Sequence, residues 1–230
     1  MQAPRIYAIH DRAITIELST SISEEINLLV LQLHASLEKN PFVGFIESVP
    51  AYGSLTVYFT EDVSIAKVEA TLLERYTQCI ASESKYNINS IQTTKHIIPV
   101  CYDIEFGLDL EEVATNCKLS IQEVITIHTG IEFRVYMIGF VPGFAYMGTL
   151  PIALETKRKN NPRLAVPEGS VAIAALQTGI YPATIPGGWN ILGRTPVKMF
   201  DKSKDPCSFL RAGDRVQFKA ITKKEFESFT

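Results

Sequence analysis

The sequence predicts an α+β N-terminal domain followed by a mainly-β barrel domain. Two observations carry this. In the first hundred residues, short apolar runs alternate with segments of helical period. Further on, residues 139–196 hold 8 of the 13 glycines and 7 of the 12 prolines. Proline removes a backbone donor and glycine costs backbone entropy, so this stretch reads as short strands joined by tight turns.

In chain order, Arg5–Ile9 and Ala13–Leu18 read as paired strands around a turn at His10-Asp11. Ser21 and Glu24 have capping-box spacing. After them Ile26, Leu29, Val30, Leu33 and Leu37 recur at helical spacing until Asn40-Pro41. Phe42–Val49 and Ser54–Thr60 read as strands around a Pro50–Gly53 turn, and Ile65, Val68, Leu72, Tyr76 and Cys79 mark a second helix. The order β, β, α, β, β, α suits an antiparallel sheet with helices on one side. The polar run 82–95 has no period. The expected division is therefore a domain at 1–85, a linker at 86–95 and a domain at 96–230. In the second domain His96–Tyr102 reads as a strand, followed by short helices starting at Asp109 and Ser120, the latter with Glu123 in a capping box. Glu132–Phe140 and Asp214–Ile221 read as strands.

The 230 residues are 46% hydrophobic and 20% charged, a globular composition. A formal net charge of −3 argues against a dedicated nucleic-acid binder, which needs clustered Lys and Arg. No apolar run approaches the roughly 18 residues that span a bilayer, so no membrane partner is expected. The four cysteines form no CxxC pair and read as reduced thiols of a cytoplasmic protein. There is no Walker A loop, no GxGxxG after a strand, no GxSxG elbow and no HExxH. The histidines are scattered, so no metal site is expected.

Three strings hold candidate site residues. Gly139–Pro151 surrounds Phe140, Phe144, Tyr146 and Met147 with turn-forming residues. It is either an aromatic-lined groove or a core corner of the barrel. Arg163 stands between Pro162 and Pro167. A rigidly held guanidinium suits bidentate recognition of a carboxylate or phosphate, or it braces loop carbonyls. Gln177, Thr178 and Tyr181 follow an apolar strand and lead to Trp189, the single tryptophan, and to Arg194. They supply donors and acceptors beside an aromatic face for a small carboxylic or amide substrate, or they satisfy loop backbone groups. His128, near the end of the Ser120 helix, is either a general acid/base or a helix-end cap.

Long, ordered strings also carry a resemblance. They include Ile98–Tyr102, Glu105–Gly107, Asp109-Leu110, Arg134–Met137, Gly139–Pro151, Pro162-Arg163, Gly169–Val171, Gln177–Pro182, Pro186–Trp189 and Gly193–Pro196. The sequence resembles the carboxyltransferase-related bacterial family that contains the B subunit of 5-oxoprolinase and the sporulation kinase inhibitor KipI, a relative of allophanate hydrolase subunit 1. The resemblance covers nearly the whole chain. It implies that the second domain is cyclophilin-like. It also implies an ATP-dependent 5-oxoprolinase that opens 5-oxoproline to L-glutamate, formed with the A and C subunits and inactive as this chain alone. ATP would be bound by, or shared with, those partners. The alternative it implies is an inhibitor that binds a histidine kinase. The family's motif positions add Arg134 to the site candidates. In the expected arrangement Arg163 and Arg194 hold an anion or carboxylate, and Gln177 and Thr178 hydrogen-bond an amide. Phe144, Tyr146, Tyr181 and Trp189 shape the pocket, and His128 transfers a proton. Asp103-Ile104 replaces an expected glycine pair, Leu108 an expected proline and His10-Asp11 an expected Gly-Asp turn.

Overall fold

The computed structural model describes residues 3–81 and 93–229, in two compact units divided between Thr93 and Thr94. Most of the expected linker, 86–95, lies outside the described residues. Its last residue, Lys95, already belongs to the first strand of the second unit.

The first unit comprises β1 (Arg5–His10), β2 (Ala13–Glu17), α1 (Glu24–Lys39), β3 (Phe45–Pro50), β4 (Ser54–Phe59) and α2 (Ile65–Ala81). Its antiparallel sheet has the order β1-β2-β4-β3. Period-2 alternation places Ile14, Ile16, Leu55, Val57 and Phe59 on one face, packed on Leu29, Val30, Leu33 and Leu37 of α1 and Val68, Leu72 and Tyr76 of α2. The α1 cap differs from the expected Ser21–Glu24 box. Ser21 is engaged with Ser19, Oγ to Oγ at 2.9 Å, and Ser23 is the N-cap instead. Strand β3 starts three residues after the expected Phe42, because the Phe45 amide donates back to the Phe42 carbonyl at 3.0 Å and closes a turn over 42–45.

The second unit comprises β5 (Lys95–Cys101), α3 (Leu110–Cys117), α4 (Ile121–Thr129), β6 (Glu132–Ile138), β7 (Ala145–Gly148), a 3-10 turn at Ile152–Leu154, β8 (Arg163–Val166), β9 (Ser170–Ala174), β10 (Gln177–Ile180), β11 (Ile185–Gly187), β12 (Asn190–Arg194), β13 (Arg215–Ile221) and α5 (Lys223–Glu227). Seven strands close a barrel in the order β10-β7-β6-β13-β5-β12-β9, and β8 and β11 form a separate two-stranded ribbon. The β5–β13 pair is parallel.

Alternate residues of each strand fill the barrel. Ile98, Val100, Phe133, Val135, Ala145, Met147, Val171, Ile173, Val216 and Phe218 form one core with Leu110, Val113 and Ala114 of α3 and Val124 of α4. Burial of each of the larger side chains contributes about 1.5–3 kcal/mol. The Ser120–Glu123 capping box starts α4 as expected, with the Ser120 amide donating to Glu123 Oε2 at 2.7 Å. Asp109 is the N-cap residue of α3, but its side chain makes no cap bond. Helix α5 is an addition to the expected elements, although Thr222 and Glu225 form a second capping box at its start.

Candidate functional site

Because one face of each barrel strand fills the interior, the other face lies outside. There Tyr146 on β7, Gly179 on β10, Ala172 on β9 and Ile191 on β12 stand in one cross-strand row. The two small residues leave room for large neighbours. Phe144 lies over Gly179, where an added Cβ would come within 3.0 Å of the ring. Around Phe144 gather Tyr146, Tyr181 and Trp189, with ring centroids at 4.8, 5.3 and 5.5 Å and interplanar angles of 61°, 82° and 90°. This edge-to-face geometry is favourable for aromatic quadrupoles. The four aromatics expected to act together are therefore adjacent. They form a second apolar cluster with Val166, Ala172, Ala174 and Ile191, so three of them are core and Tyr146 alone is half-buried. Phe140 continues the cluster to the surface, 64% exposed and 5.8 Å from the Phe144 ring. At the ribbon, a Cβ on Gly187 would collide with the Tyr181 ring and hydroxyl. Gly187→Ala is expected to destabilise the barrel unit by about 1–3 kcal/mol, and Trp189 fluorescence in urea reads the loss.

Beside this cluster lies a buried carboxylate. Asp109 is 2% exposed. Arg163 grips it with two parallel bonds, Nη1 to Oδ2 and Nη2 to Oδ1, both 2.8 Å. Lys159 Nζ donates to Oδ1 at 2.7 Å and the Ile191 amide to Oδ2 at 2.8 Å. Burial alone would raise the Asp109 pKa, but these hydrogen bonds and the Arg163 charge outweigh it and hold the carboxyl below its ordinary value. Arg163 does make the bidentate carboxylate contact its setting suggested, but the carboxylate is internal. Its expected role as an anion contact for a ligand does not fit this engagement.

Next to Asp109 the surface opens into a cleft of ≈ 590 Å³ between α3 and residues 155–161. Lys157, Arg158, Asn160, Asn161 and the buried Asn190 line it, together with Glu112 and Glu155. Arg158 links cleft to cluster, its guanidinium lying 5.8 Å from the Trp189 ring centre. None of these cleft residues was among the sequence candidates. The signal for them was the run Lys157-Arg-Lys-Asn-Asn161 just before Pro162-Arg163.

The other candidates lie elsewhere. Arg194 Nε donates to the Glu168 carbonyl at 2.7 Å, so it braces the β8–β9 turn instead of facing a ligand. Arg134 on β6 and Gln177 on β10 both pair across from Gly148, which puts them in a row on the outer face, with Arg134 2% exposed. Thr178 and His128 are wholly buried. Thr178 Oγ1 donates to the Ala172 carbonyl at 3.2 Å, so it accepts from His128 Nε2 at 3.0 Å. Nδ1 then accepts from Tyr102 Oη at 2.8 Å. His128 also stacks on Phe218, with ring centroids at 4.6 Å. Burial lowers its pKa to about 3. A neutral imidazole sealed inside the barrel does not suit the expected proton transfer, and Thr178 does not suit contact with a substrate amide.

Residues 4–210 match the carboxyltransferase domain, subdomain C and D. The chain belongs to that family. Among curated relatives, the 5-oxoprolinase B subunit of Bacillus subtilis is 40% identical, over 98% of this chain and 96% of its own. The Escherichia coli O157:H7 protein of the same name is 36% identical, over 98% and 99%. Of solved structures, that of TTHA0988 superposes with a TM-score of 0.77 at 34% identity. The superposition covers 91% of this chain but 40% of TTHA0988, which is therefore much longer. The expected membership of the family that holds the 5-oxoprolinase B subunits is thus shown. Among the described residues, no group of three His, Cys, Asp or Glu side chains could hold a metal, and no helix is long and apolar enough to cross a membrane.

Proposed function

We propose that this carboxyltransferase-family chain is the B subunit of a cytoplasmic, multi-subunit 5-oxoprolinase. It acts with the A and C subunits to open 5-oxoproline to L-glutamate at the expense of ATP. The observation that carries the reading is end-to-end similarity to two curated 5-oxoprolinase B subunits. The second unit is read as a cyclophilin-like barrel that serves as a scaffold, since fold by itself carries no activity.

The chemistry explains the division of labour. A lactam carbonyl is a poor electrophile until its oxygen is phosphorylated, so the reaction needs a phosphoryl donor, a positioned substrate and water. The sequence has neither a Walker A loop nor a GxGxxG motif to cradle phosphates. ATP is therefore assigned to a partner or to a shared interface, and the chain alone is expected to be inactive. The test is glutamate release from 5-oxoproline with ATP, measured for the complete mixture, for this chain alone and with this chain omitted. Release in the complete mixture only is the expected result. Undiminished release without this chain, or none from a folded complete mixture, overturns the assignment.

A further inference from the structure

The cleft beside α3 is held in shape by its own backbone. Residues 155–161 contain no helix or strand, yet they are tied at successive points. The Thr156 carbonyl accepts from the Ala175 amide at 2.7 Å, and the Lys157 carbonyl accepts from Asn190 Nδ2 at 2.8 Å. The Lys159 amide donates to the Gly188 carbonyl at 2.8 Å, and its ammonium bridges Asp109 and Glu112, both at 2.7 Å. Ordering a flexible backbone on binding costs conformational entropy. A loop fixed this firmly presents its side chains in a preset arrangement, which lowers the cost of binding.

The tethers leave particular groups facing the cleft. Lys157 and Arg158 are exposed cations, and Asn160 offers an exposed amide. With Lys159, three cations meet two carboxylates here, and Lys159 already compensates Glu112. The cleft therefore favours an anion. Its floor asks for something different. Asn190 is 2% exposed, and its Nδ2 is engaged with the Lys157 and Ile173 carbonyls at 2.8 and 3.4 Å. Its remaining polar atom, Oδ1, can only accept. A ligand reaching it must bring an N–H or O–H, because a buried acceptor left without a donor is costly.

The geometry points to this cleft as the binding site for a small carboxylate that carries an N–H donor, with the carboxylate held by Lys157 and Arg158 and the N–H given to Asn190 Oδ1. Naming 5-oxoproline as the occupant rests on the 5-oxoprolinase reading. It has the carboxylate on the carbon next to the lactam N–H, and its volume is well within ≈ 590 Å³.

The experiment is a titration of the full ¹⁵N-labelled chain by NMR with three probes. These are 5-oxoproline, cyclopentanecarboxylate (no N–H) and 2-pyrrolidinone (no carboxylate). Saturable shifts at the 157–161 amides and the Asn190 side-chain NH₂ are expected with 5-oxoproline, and about tenfold weaker binding with either analogue, or about 1.4 kcal/mol. The double variant Lys157→Ala/Arg158→Ala should weaken 5-oxoproline about tenfold while the chain still unfolds in a single cooperative transition, the loss of the Arg158–Trp189 contact lowering its midpoint only slightly. Absence of shifts at these positions, or equal binding of 5-oxoproline and cyclopentanecarboxylate, overturns the site. If turnover in the complete mixture accompanies that absence, the cleft is wrong and the functional assignment stands. Binding in the cleft with no turnover in a folded complete mixture keeps the site and removes the assignment.

Discussion

Asp109→Ala is expected to destabilise the barrel unit by about 3–5 kcal/mol, the usual cost of removing one partner from a buried ion pair. The carboxylate joins three distant parts of the unit: Arg163 on the ribbon, Lys159 in the cleft loop and the Ile191 amide on β12. Its loss leaves the Arg163 guanidinium and the buried Ile191 amide without this partner at once, while Lys159 keeps Glu112. Arg163→Ala should cost less, because Asp109 then keeps Lys159 and the Ile191 amide as partners. Lys159→Ala should also cost less, for the same reason. The ordering therefore tests the idea that the carboxylate is the centre of the network. Trp189, the single tryptophan, lies in the barrel unit and neighbours Gly188, which accepts from the Lys159 amide. Its fluorescence in a urea titration reports this unit directly. A loss below about 1 kcal/mol for Asp109→Ala, or a larger loss for Arg163→Ala, would contradict the network.

What was legible in the sequence follows from the range over which each signal acts. The α4 cap was legible because Ser120 and Glu123 are three residues apart and bond each other. The aromatic cluster was legible as a set because its glycines and rings share short strings. That it forms a second core on the outer face was not, since this depends on Gly179, Ala172 and Tyr146 meeting across three strands. Asp109 shows the limit most clearly. Its position at the start of α3 is plain from the sequence, yet its side-chain partners lie 50 and 54 residues further on. No local period contains them. The same blindness makes Arg163 and Arg194 look available to a ligand, when one is engaged by Asp109 and the other by the Glu168 carbonyl. The cleft loop at 155–161 looks like an ordinary solvated loop, because its tethers come from Ala175, Gly188 and Asn190. His128 carries a weak signal of its burial. It follows Val124 by four residues, which places it on the helix face that turns inward, and both are buried.

That burial predicts acid sensitivity. In the folded chain His128 stays neutral down to a pKa of about 3, because its surroundings cannot solvate an imidazolium. In the unfolded chain it takes up a proton near the ordinary value of 6.5. Between those values the unfolded state binds more protons, so stability rises with pH across the window. The contribution is complete above pH 6.5 and is lost as the pH falls toward 3, at up to about 1.4 kcal/mol per pH unit. Asp109 adds to this loss only from about its ordinary value of 3.8 downward, because its carboxyl is held below that value in the folded chain. The urea midpoint of Trp189 fluorescence should therefore fall steadily from about pH 6.5 to about 4.5. His128→Gln should flatten that part of the profile while lowering its plateau, because the Tyr102 and Thr178 hydroxyls lose the imidazole between them. A direct reading needs no variant. The ¹⁵N shifts of His128 in the native chain should show the Nε2–H tautomer at about pH 5, with Nδ1 unprotonated. A native-state titration of His128 near its ordinary value of 6.5 would show that water reaches the ring, and it would remove both the acid sensitivity and the case for a sealed, structural imidazole.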